Sequence, residues 1–179
     1  MKKLADVEQI DSIIATALTK QSGLENERII NAHSIRGPEL SKAISDTVQL
    51  SYELEDVAII FEVQATSDLS ITEEDEDGLL SFNSAKIDIT IYGNESFQMA
   101  TMLKARLESE KSKYDLLEEG LHLNTVGSLS EISEILNNTV WPRVSFDINV
   151  DFCLLVSKID DFADFKDVTI TTQTIDSLQ

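Results

Sequence analysis

With a single cysteine, Cys153, the chain cannot close an intramolecular disulfide, and with only His33 and His122 beside it the usual four-ligand zinc sets are out of reach. A reactive thiol needs an activating base, and neither histidine is near Cys153 in sequence, so it reads as a half-buried small residue on the less apolar face of a strand. Glycine is sparse. The six glycines, at 23, 37, 78, 93, 120 and 127, lie far apart, which excludes a dinucleotide fingerprint, a phosphate loop and a nucleophile elbow. Cations are scarce as well. Fourteen Lys and Arg against 33 Asp and Glu give a net charge of −19, so nucleic acid phosphates and anionic membranes repel the chain unless its few cations cluster. No run approaches the ~18 apolar residues of a membrane span. The start, Met1-Lys2-Lys3-Leu4-Ala5-Asp6, is interrupted by Asp6, Glu8 and Asp11 before any signal-peptide core can form, which points to the cytoplasm as the place where the protein is made.

What the chain does have is acid and alternation. Glu73-Glu74-Asp75-Glu76-Asp77-Gly78 places Glu73, Asp75, Asp77 and Gly78 on positions 1, 3, 5 and 6 of a calcium loop. Position 12 is then Ser84 instead of a bidentate glutamate, and the flanks are not helical, so the run reads as a solvated cluster and no metal or cofactor is expected. Paired carboxylates elsewhere arise by chance in so acidic a chain and mark no acid–base couple. Neither catalytic residues nor an enzymatic activity are expected.

Hydrophobic residues make up 42% of the 179 residues, enough for one domain with a real core. From Val144 to Val156 every even position is apolar and the odd ones are mostly polar, the period of a strand and an unusually long one. Ala85, Ile87, Ile89 and Ile91 alternate in the same way. Leu4, Val7, Ile10, Ile13, Ile14 and Ala17 recur at helical spacing and predict a helix over 5–19. A second helix is predicted from Glu95, N-capped by Asn94, with Phe97, Ala100, Leu103 and Leu107 on one face, a bend near 109–112 and a stop at Gly120. Ser128-Leu129-Ser130-Glu131 fits a capping box and predicts a short helix holding Ile132, Ile135 and Leu136, ended by Asn137-Asn138. Short strands are expected near 28–34 and over 121–126, and a bent strand or hairpin across 48–63.

The fold class is therefore α/β in the broad sense, of the α+β type: a mixed sheet of four to five strands with two to three helices packed on it and one very long strand near the C-terminus. The organisation expected is a single domain over 1–179, with an N-terminal helix in 1–20, an acidic mobile loop over 67–84, a core over 85–156 and a C-terminal strand or tail over 160–179. Trp141 and Arg143 are the candidate interface residues. Trp141, the only tryptophan, stands beside a turn; it either caps the edge of the core or makes an intersubunit contact, where Trp and Arg are enriched. Arg143 needs a carboxylate partner, within the subunit or across an interface.

The ordered combination Ile87-Asp88-Ile89-Thr90-Ile91-Tyr92-Gly93, a helix with Leu103 and Leu107, Leu116-Leu117-Glu118-Glu119-Gly120-Leu121, Val126-Gly127-Ser128-Leu129, Trp141-Pro142-Arg143 and the alternating strand resembles the neck or tail terminator proteins of tailed bacteriophages, over 85–156. The resemblance implies a virion structural subunit that assembles in the host cytoplasm into a closed ring, a homohexamer. Such a ring caps the tail tube, with tail tube and sheath proteins on one side and a head-completion or connector protein on the other. DNA passes through it without specific binding, and no membrane is involved. The other reading of the same chain is a non-enzymatic adaptor that binds another protein as a monomer or dimer.

Overall fold

The computed structural model describes residues 2–32, 42, 46, 57–75, 78–136 and 139–157. Among them the chain forms three α-helices and a six-stranded mixed sheet, an α+β fold. Helix α1 spans Glu8–Ser22, and a short 3-10 turn leads into strand β1 (Ile29–Asn31). Strand β2 (Ala58–Asp75) and strand β3 (Gly78–Tyr92) follow, then helices α2 (Ser96–Leu107) and α3 (Glu110–Glu118). Strands β4 (Leu121–Val126), β5 (Ser130–Leu136) and β6 (Thr139–Ser157) complete the order. The sheet runs β1-β2-β3-β6-β4, with β5 also paired to β6. Only β1–β2 is parallel; the other pairs are antiparallel.

Register explains the layers. Ile59, Phe61 and Val63 of β2 stand opposite Ile91, Ile89 and Ile87 of β3. These in turn face Val144, Phe146 and Ile148 of β6, and Val150 and Phe152 meet Leu123 and Leu121 of β4. All are buried, and all lie on one face. Ile10, Ile14 and Leu18 of α1, Ala100, Leu103 and Leu107 of α2 and Leu116 of α3 cover that face and join one core. The opposite face carries Glu62 and Lys86, which are exposed, and Asp88, Asp147 and Asn149, which are partly buried. On it Asp88 lies 3.1 Å from Lys86 and holds that ammonium above its ordinary value, chiefly by a hydrogen bond.

Local chemistry sets the helix ends. Asp6 Oδ1 accepts the Gln9 amide and Gln9 Oε1 accepts the Ala5 amide, a reciprocal cap that moves the start of α1 three residues beyond the sequence expectation. Gly23, at φ 77°, closes α1 with its amide on the Thr19 carbonyl. The bend expected near 109–112 is a full break. Ser109 adopts extended backbone and its hydroxyl accepts the Ser112 amide, capping α3. Phe97, read as part of the apolar stripe, is 54% exposed; Ala100, Leu103 and Leu107 alone carry the stripe into the core.

Two expectations are corrected. The short helix over 128–137 is a strand. β5 pairs with β6 from Ser130↔Ser145 to Leu136↔Thr139, so the ladder offered by a long neighbouring strand overrides the local capping box. With this strand the mixed sheet has six strands among the described residues. The stretch 67–84 is not a loop. β2 continues to Asp75 and β3 starts at Gly78, so all but residues 76–77, which lie outside the described residues, are strand, paired except at a register shift between Asp68 and Thr72. Of the acidic side chains here, Glu73 is exposed to water. The weak helix at Pro38, the alternation over 48–54 and the C-terminal strand after Asp160 fall outside the described residues.

β6 is the spine. Its nineteen residues extend roughly 60 Å. One edge pairs with β3 from Arg143 to Ser157. The other meets β5, then β4, then Leu4, whose amide donates to the Cys153 carbonyl at 2.8 Å and whose carbonyl accepts the Leu155 amide at 2.9 Å. Cys153 itself is 4% exposed, more deeply buried than its place in the sequence suggests.

Candidate assembly surface

The sheet outruns the helices at both ends. At one end the β2–β3 hairpin and the last residues of β6 continue past Phe152, where the pairing of β4 stops, to Asp75, Gly78 and Ser157. This ribbon pairs apolar with acidic residues: Leu80 stands opposite Glu73 and Leu79 opposite Glu74, and Leu79 is 43% exposed. At the other end β3 stops at Tyr92, and β6 runs on through 139–142 paired with β5 alone.

Trp141 and Arg143 belong to this second arm. They stand two residues apart on one strand, with Pro142 between them. Trp141 stands opposite Glu134 in register. Arg143 stands between Tyr92 of β3 and Ile132 of β5. Its guanidinium donates to the Tyr92 hydroxyl at 3.3 Å and is half-buried, so one partner lies within the subunit. Beside it, Pro142 uses its carbonyl to accept the amide of Gly93 at the end of β3. Ile132 is 41% exposed, which sets an apolar side chain next to a cation at the root of the arm. The sequence singles out Trp141 and Arg143 by residue type, whereas Ile132, expected on a helix, stands opposite Arg143 only in the fold. The available signal was Asn137-Asn138 followed by Thr139-Val140-Trp141, a turn pair feeding β-prone residues.

The acidic run sits at the far end of the molecule from Arg143. Among the described residues no group of three or more His, Cys, Asp and Glu could hold a metal ion. His122 is exposed on β4, opposite Asp151. A groove of about 360 Å³ between α1 and α3 is crossed by an ion pair, Lys20 Nζ to Asp115 Oδ2 at 2.6 Å. Lys20 holds the Asp115 carboxyl below its ordinary range, mainly through that hydrogen bond. Arg106 donates to the Gln21 carbonyl at the end of α1, so the groove is a seam where helices are pinned together. None of the helices among the described residues is long and apolar enough to cross a membrane.

Among the described residues, strands run on past the shared core face at both ends of the sheet. The phage neck terminator protein family model matches residues 48–176, more than half of the chain, and the chain belongs to that family. The family is a structural one of the phage neck, where tail and head join. A comparison with curated proteins gives no match.

Proposed function

We propose that the subunit closes into a ring, a homohexamer, at the phage neck. It caps the tail tube, meets tube and sheath proteins on the tail side and a head-completion or connector protein on the other, and leaves a channel for DNA. The observation that carries this reading is the extension of the sheet beyond its core at opposite ends. Contacts between unlike surfaces of successive copies generate a ring when the rotation closes. An arm at each end supplies two unlike surfaces. The charge of −19 suits a channel wall that does not grip phosphates. The same charge repels copies from one another, so closure of the free protein strengthens with salt. The assembled protein acts in the virion, as a scaffold and not as a catalyst.

Trp141 and Arg143 lie at the interface between copies in this reading. Arg143→Ala is expected to impair assembly more than folding. Within the subunit the loss includes a hydrogen bond to Tyr92, about 1 kcal/mol. Across an interface the loss of one member of a buried charge pair costs about 3–5 kcal/mol. Circular dichroism and melting, set beside ring formation and tail completion, separate the two. Normal tails from the variant would remove Arg143 from the interface, and an unfolded monomer would make it an organiser of the arm. Native mass spectrometry over a salt series tests the ring itself. A monomer at every salt and protein concentration, and no rings on purified tails, would favour the adaptor reading.

A further inference from the structure

β4 and β5 lie end to end along one edge of β6, and the break between them is a small mechanical joint. Val126 pairs with Ile148 and Ser130 pairs with Ser145, so four steps of one strand oppose three of the other. The extra residue is a bulge, and a bulge reverses which side chains face which way beyond it. Here it keeps both Val126 and Leu129 packed against the core and turns Ile132 to the face of Arg143 and Tyr92.

The joint is held from both sides. On the helix side, Lys104 of α2 reaches across with one ammonium that donates to the Val126 carbonyl at 3.1 Å, to the Gly127 carbonyl at 2.9 Å and to Glu108 Oε1 at 2.9 Å. The side chain is only 26% exposed. On the β6 side, the Gly127 amide donates to the Asp147 carbonyl at 2.7 Å, and a Cβ added at Gly127 would collide with the Asp147 carboxylate.

We infer that Lys104 is a positioning residue: it clamps the bulge at 126–129 and so fixes the register and pitch of the β5–β6 arm that is presented to a second copy of this chain. The part concerning a second copy rests on the ring reading above; the clamp does not. An ammonium suits the task because its three donors can serve two carbonyls and a carboxylate at once. Beyond the joint, β5 finds its principal support in β6 alone, so the joint decides where the arm points.

The test is amide hydrogen exchange resolved by segment in the full-length protein, with ring formation followed in parallel. Lys104→Met is expected to speed exchange across 130–136 by about tenfold while β3 and the centre of β6 keep their wild-type ratio to each other. Lys104→Arg restores protection, since a guanidinium also spans two carbonyls. Glu108→Gln leaves protection unchanged, because it touches only the exposed ion pair. Gly127→Ala attacks the joint from the other side and reproduces the effect of Lys104→Met should that variant fold poorly. Uniform loss of protection over all strands in both Lys104→Met and Gly127→Ala, or none in β5, would overturn the clamp. A loosened arm in a variant that still forms normal rings would leave the clamp standing and remove the arm from the ring contact.

Discussion

Phe152→Ala is expected to cost about 3–5 kcal/mol of unfolding free energy, the usual range for emptying a fully buried aromatic site. Phe152 has no exposed surface and lies on the core face of β6. In register it stands between Asn83 of β3 and Leu121 of β4, the last position where β6 is paired on both sides within the main sheet. Domains of this size hold about 5–15 kcal/mol in total, so the variant loses roughly a fifth or more of what keeps it folded. Urea unfolding should show a lower midpoint with an unchanged slope, the sign of a less stable protein with the same native and unfolded surfaces. A loss below about 1 kcal/mol would mean that the site is not the packed centre described.

Gly120→Ala should cost about 2–3 kcal/mol, more than any other glycine-to-alanine change at the described helix ends. Two independent reasons add. The backbone at Gly120 has φ 100°, a conformation that L side chains rarely adopt. A Cβ there would also lie 2.7 Å from the Lys2 carbonyl and 3.1 Å from the Leu4 side chain. The first contact is with backbone, so relief requires the N-terminal segment to move. That segment carries the buried Leu4, its bridge to β6 and the Lys2–Glu119 ion pair at 2.7 Å. Gly23→Ala is the control. Gly23 also has positive φ, at 77°, but its Cβ would meet nothing within 4 Å, so it should lose only about 1 kcal/mol. Thermal melts of the two variants check this, and equal losses would show that the contact with Lys2 contributes nothing.

The strands were legible where the sheet has unlike faces. β6 buries Val144 through Phe152 on one side and keeps Ser145, Asp147 and Asn149 half-exposed on the other, and that contrast is the period-2 pattern itself. The same holds for Ala85 to Ile91 in β3. The hairpin over 67–84 escaped because its residues do not alternate: Leu79 and Leu80 fall on opposite faces, and β2 shifts register twice on the way to the tip. β5 escaped for a different reason. Leu129, Ile132, Ile135 and Leu136 follow helical spacing, and Ser128 to Glu131 repeats a true helix-start chemistry. What overrules them is a partner strand, and a local pattern carries no record of its partner. The break between α2 and α3 showed in the sequence only as a bend, at the place where Ser109 caps its own helix, an interaction three residues long.

The candidate site divides in the same way. Trp141 and Arg143 could be singled out by residue type. Their company could not. Tyr92 reaches Arg143 from 51 residues away, and Lys104 reaches Gly127 from 23. In the sequence Lys104 reads as a cation suited to the end of a helix, and only the fold brings the two strand carbonyls to its ammonium.

The central claim, that this subunit joins tail to head as a ring, is tested most directly by electron microscopy of particles made by a phage in which an early stop codon interrupts this gene. The account predicts separate filled heads and unattached tails, with no ring at the head-proximal end of the tails and with joining restored when the wild-type protein is supplied. Intact tailed particles with an unaltered neck would contradict it.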